Sequence, residues 1–70
     1  MAFIERLYKE ERELSERVGK LEAFIEINPK FEEVEEIERV LCVSQLNCMK
    51  MYLYTLQERI YQLKNNRKNG

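Results

Sequence analysis

Seventy residues, 44% hydrophobic and 36% charged, make at most one domain, and so short a chain encloses little core by itself. The formal charge of −1 gives no support to nucleic-acid binding as a main role, and two cysteines without a histidine give a structural zinc site nothing to build on. Cys42 and Cys48 on one helix are separated by about 9 Å of rise, beyond disulfide reach, so stability is expected to come from other copies of the chain.

From Ala2 to about Ile27 the chain has no Pro, a single Gly (Gly19) and many Glu, Lys, Arg and Leu, which favour helix. Ile4, Leu7, Leu14, Val18, Leu21 and Ile25 follow three-and-four spacing and form one stripe. The missing member is position 11, where Glu11 interrupts the apolar seam. Asn28-Pro29 is the strong break: Asn suits a helix cap, and Pro suits the first helical position, where no N–H is needed. A second helix, about 30–64, is therefore expected to start there, followed by a polar tail over 65–70. Glu32, Glu33, Glu35 and Glu36 in its first turns and Lys64, Arg67 and Lys68 near its end both suit the helix dipole.

This second helix carries Val34, Ile37 and Leu41 on one stripe and Leu46, Met49, Leu53, Leu56, Ile60 and Leu63 on another, with the offset around "CVSQL". At about 1.5 Å per residue it outruns the first by roughly 15 Å, and "CMKMYLYTL" spreads apolar side chains around most of its circumference. Such a surface marks an interface. The expected fold is all-α, a single antiparallel helical hairpin with a long second helix, assembling into a homo-oligomer through Leu46, Met49, Tyr52, Leu53, Leu56 and Ile60.

Charge divides along the chain. Residues 1–40 hold 7 Lys/Arg against 12 Glu, and residues 41–70 hold 5 against 1, so an acidic half and a basic half can pair within or between chains. No signal peptide and no membrane-spanning apolar run is read, and the expected location is the cytoplasm.

The paired Glu residues at 10–11, 32–33 and 35–36 read as solvated faces, since a di-metal site in a helical bundle would add a Glu-x-x-His motif. Neither catalytic residues nor metal ligands nor a cofactor is assigned. Glu11 is costly on an apolar seam unless paired or near water; it either pairs with a neighbouring helix or faces a ligand. The cysteines read as small buried apolar residues. At 100° per residue Arg6, Arg17 and Phe24 fall within about 20° of one another, with Lys9, Lys20 and Glu13 close by. Cations beside an aromatic are what a phosphorylated base requires, although a solvated charged face with Phe24 packed at the bend explains the same spacing. Nucleic-acid binding through Lys50, Arg59, Lys64, Arg67 and Lys68 is the weaker alternative.

The run "FIERLYKEERELSERVGKLEAFI", a short bend and "SQLNCMKMYLYTLQERI" together resemble the helical hairpin domain of small phage sponge proteins that counter CBASS and Thoeris immunity. The positions that carry the resemblance are Arg6, Leu14, Arg17, Lys20, Leu21, Phe24, Gln45, Met49, Tyr52 and Leu56; Glu11 departs from it, standing where similar sequences commonly have an aromatic. The resemblance implies an oligomer, often a hexamer, that sequesters a cyclic di- or trinucleotide or cyclic ADP-ribose type signal without degrading it in the infected host. On that reading Arg17 and Lys20 bind phosphate, Phe24 with Phe3 or Tyr8 holds the base, and Arg6 assists. The competing reading is a structural helical oligomer that acts only through protein–protein contacts.

Overall fold

The computed structural model describes residues 2–69, with side chains from Phe3 to Asn65. Helix α1 (Ala2–Glu26) and helix α2 (Glu36–Asn69) pack antiparallel, joined through a short 3₁₀ helix over Pro29–Glu33. The molecule is a rod of 53 × 16 × 15 Å.

Two rows of side chains with alternating three-and-four spacing make the seam. In α1 the row is Ile4, Leu7, Glu11, Leu14, Val18, Leu21 and Ile25; in α2 it is Arg39, Cys42, Leu46, Met49, Leu53, Leu56, Ile60 and Leu63. All are at least half-buried, and Leu7, Leu14, Val18, Leu46, Leu56 and Ile60 are the buried centre. A strict seven-residue repeat keeps two helices in contact along their length by a slight left-handed supercoil.

Polar groups flank this seam. Gln57 Nε2 donates to Glu11 Oε2 at 3.3 Å, so the carboxylate is met by the facing helix. The Tyr52 hydroxyl donates to Glu10 next to it. Toward the bend Lys50 Nζ lies 2.7 Å from Glu22 Oε2. That bond and charge raise the Lys50 pKa above its ordinary value of 10.5.

The bend corrects the expected start of the second helix. Asn28 does cap: its backbone is extended (φ −79°, ψ 119°) and its Oδ1 accepts from Lys30 N–H at 2.9 Å, with Pro29 following. What it caps is the 3₁₀ helix, which ends at Val34 in extended backbone (ψ 143°). The long helix opens only afterwards, with Arg39 N–H donating to Glu35 C=O at 2.9 Å. One continuous helix would stack Glu32 on Glu35 and Glu36, Glu33 on Glu36, and Glu35 on Glu38, each like-charge pair costing a few tenths of a kcal/mol. Breaking at Val34 separates several of them and leaves Glu36 and Glu38 in the first turn of α2, where the dipole favours them. Phe31 and Phe24 hold the turn in place through a T-shaped ring contact, with centroids 5.7 Å apart at 82°.

Other differences follow from the pairing. The early stripe Val34, Ile37 and Leu41 does not join the seam: Ile37 is 61% exposed and Leu41 is also exposed, because the inward row there runs through Arg39 and Cys42. Cys42 is half-buried, whereas Cys48 is exposed rather than buried; both are free thiols. The backbone of α2 continues to Asn69, past the expected end near 64; the side chains of 66–69 and the whole of Gly70 lie outside the described residues. No helix among the described residues is long and apolar enough to cross a membrane.

Candidate functional site

The outer face of α1 carries the cations singled out above. Arg6, Lys9, Arg17 and Lys20 are exposed, and Phe24 is half-buried with its edge contact to Phe31. Among the described residues neither Arg17 nor Lys20 takes part in an ion pair; the pair across this part of the hairpin is Lys50–Glu22. Lys20, Ala23, Phe24, Ile27, Asn28 and Pro29 line a pocket of about 580 Å³ on this side of the bend. Arg17 sits one turn before Lys20. The α1 backbone sets Lys20 and Phe24 four residues apart, one above the other on one face.

Gly19 lies beside these cations with nothing within 4 Å of the place a Cβ would occupy, so the surface there is open. A second pocket at the bend, of about 600 Å³, shares Ile27, Asn28 and Pro29 with the first and is otherwise lined by Ile25, Glu26, Phe31, Glu32 and Arg39. Two carboxylates against one guanidinium make it the poorer host for a phosphate. The pocket holding Lys20 has a cation and no carboxylate on its wall.

The six residues named as one ligand set do not form one site within a chain. Angular position put Arg6, Arg17 and Phe24 together, but the rise of about 1.5 Å per residue separates Phe3 from Phe24 by roughly 31 Å and Arg6 from Lys20 by roughly 21 Å. Arg17, Lys20 and Phe24 gather near the bend; Phe3, Arg6 and Tyr8 sit at the open end, all three exposed. Both groups can act on one small ligand only across two copies of the chain.

The residues named for an oligomer interface are also divided. Leu46, Leu56 and Ile60 are buried against α1, and Met49 and Leu53 are half-buried on the same seam. Tyr52 is exposed and bonded to Glu10. The apolar side chains that a single hairpin leaves uncovered on α2 are instead Ile37, Val40, Leu41, Val43, Met51, Tyr54 and Tyr61, with Met51 67% exposed. Their signal in the sequence was their failure to fit the three-and-four row that runs through Leu46 and Leu56.

Among the described residues no group of three His, Cys, Asp or Glu is placed to hold a metal. The bend pocket sets the Lys20 ammonium beside the Phe24 ring.

No curated protein and no solved structure matches the chain. The family model for Sequestin matches residues 1–62, which takes in α1, the bend and α2 through Gln62. That family implies binding and sequestering of a signal molecule rather than catalysis. With the match spanning both helices and the bend that shapes the pocket, the chain belongs to the Sequestin family of phage cyclic-nucleotide sponges.

Proposed function

We propose that this protein sequesters a cyclic nucleotide immune signal, of the cyclic di- or trinucleotide or cyclic ADP-ribose type, and holds it without breaking it. The observation that carries the reading is the pocket at the bend, where Lys20 and Phe24 share one wall and Arg17 stands a turn away. Lys20 and Arg17 neutralise phosphate, and the face of Phe24, steadied by Phe31, stacks on a base. The working form is a homo-oligomer in the cytoplasm of the infected bacterium. The uncovered side chains Ile37, Val40, Leu41, Met51, Tyr54 and Tyr61 supply its contacts. In that assembly Phe3, Arg6 and Tyr8 of one copy approach the bend pocket of another.

The experiment is calorimetric titration of a panel of cyclic di- and trinucleotides and cyclic ADP-ribose isomers into the chain and into its Arg17→Glu, Lys20→Glu double variant. Each charge-assisted contact is worth about 1.5 kcal/mol or more, so the double reversal is expected to weaken binding by at least about a hundredfold with the oligomer intact. Unchanged affinity would reject this site. Absence of any binding across the panel by a folded oligomer would favour the purely structural reading.

A further inference from the structure

Turned away from the seam, α2 carries a second row at three-and-four spacing: Ile37, Val40, Ser44, Asn47, Met51 and Tyr54, all exposed. A helix with two such rows on opposite faces is built to pack on two helices, and α1 covers only one of them. We propose that the outer row is a second coiled-coil seam, that it pairs antiparallel with the same row of a second copy, and that Ser44 and Asn47 fix its register.

The polar residues select the alignment. With Val40 of each copy on Met51 of the other, Ile37 meets Tyr54 and Ser44 meets Asn47. Apolar then faces apolar, and the hydroxyl and the amide satisfy one another. A slip of one heptad sets Asn47 on Met51 or, in the other direction, on Ile37, and either leaves its amide buried without a partner. Parallel pairing sets Glu58 on Glu58 and lays two acidic bends side by side. The antiparallel pair instead lays residues 1–40, with 12 Glu against 7 Lys/Arg, beside residues 41–70, with 1 Glu against 5 Lys/Arg.

The surface is shaped for the same arrangement. Phe31, Glu36, Arg39, Val40 and Val43 line a hollow of about 400 Å³ beside the row. In the proposed register Tyr54 of the other copy comes level with Ile37, over this hollow. Tyr54 is 60% exposed, and its hydroxyl has no partner among the described residues. Arg39, on the wall of the hollow, has a buried Nε–H without an acceptor. The phenol ring fills the hollow, and its oxygen supplies that acceptor.

This pairing rests on the homo-oligomer proposed above and not on its ligand, so the test uses the full chain without nucleotide. Two proteins, Val40→Cys and Met51→Cys, each also carrying Cys42→Ser and Cys48→Ser, are oxidised alone and as a mixture. Positions 40 and 51 are exposed, so the hairpin should fold as before, which circular dichroism checks. In the proposed register each new cysteine lies about 16 Å along the axis from its own counterpart, beyond disulfide reach. The mixture is expected to give a cross-linked dimer of the 8.5 kDa chain, and neither protein alone should give one. With Asn47→Leu added, the mixed cross-link should fall about twofold or more as other registers fill. Tyr54→Ala should weaken association about tenfold or more in sedimentation. Cross-linking of either protein alone, no cross-link in a mixture of parent-like mass, an unchanged yield with Asn47→Leu, or parent-like association of Tyr54→Ala overturns this face and register while leaving the homo-oligomer. A parent chain that sediments as a monomer overturns both, and nucleotide binding is judged separately by the titration above.

Discussion

Leu56 is the side chain on which the hairpin most depends, with 0% exposure in the middle of the seam. Leu56→Ala removes three buried carbons, worth about 2.4 kcal/mol at roughly 0.8 kcal/mol each. Two helices joined at one end close only part of the resulting gap, so the expected loss is about 2.5–4 kcal/mol. A chain of this length has about 3.5–10 kcal/mol of stability in total, so the variant should retain about three quarters at best and at the low end unfolds. In thermal melts the midpoint should drop by about 10 °C or more. Urea unfolding followed by circular dichroism gives the free energy directly, and running it at two protein concentrations separates the seam from contacts between copies. Leu41→Ala is the matched control: an exposed leucine whose truncation costs little in a lone hairpin but removes concentration dependence where another copy covers it. A loss below about 1 kcal/mol for Leu56→Ala, with an unchanged denaturant slope, would refute the assignment of Leu56 to the centre of the core.

Glu11→Leu should raise stability by about 1 kcal/mol, since it completes the apolar row at a half-buried position at the expense of one bond from Gln57; urea midpoints check this. Gly19→Ala should also stabilise, by about 0.5–1 kcal/mol, because nothing crowds the added methyl group, and a loss of ligand binding in that variant would show that something approaches Gly19 closely. For Lys50 the folded pKa is raised by its bond to Glu22. Its contribution is therefore fully present below the ordinary value of 10.5 and lost as pH rises through the folded value, so the difference in melting midpoint between parent and Lys50→Met should shrink to zero in strong alkali.

Much of the fold is legible in the sequence because one row of spacing does most of the work. Ile4 to Ile25 and Leu46 to Leu63 read as stripes, and they are the two sides of the seam. Glu11 reads as an exception and is one, relieved by a glutamine on the facing helix. The start of α2 is not legible from Asn28-Pro29, a strong cap signal that does not say which kind of helix it caps; like-charge pairs among Glu32, Glu33, Glu35, Glu36 and Glu38 favour the break at Val34. Ile37 and Leu41 are apolar yet exposed, while Arg39 and Cys42 continue the inward row although one is charged. The candidate site was half legible. Lys20 and Phe24 do share a pocket, but an angular projection discards axial distance, and so it merged two ends of a rod.

Sequestration is tested most directly by mass balance. The protein is mixed with a cyclic nucleotide of the signal class, free ligand is measured after filtration, and the protein is then denatured by heat and the released ligand identified by mass spectrometry. The expected result is depletion of free ligand in proportion to protein, followed by recovery of the same molecule unaltered. Free ligand that stays undiminished across the whole panel, or recovery of a cleaved product, would contradict it.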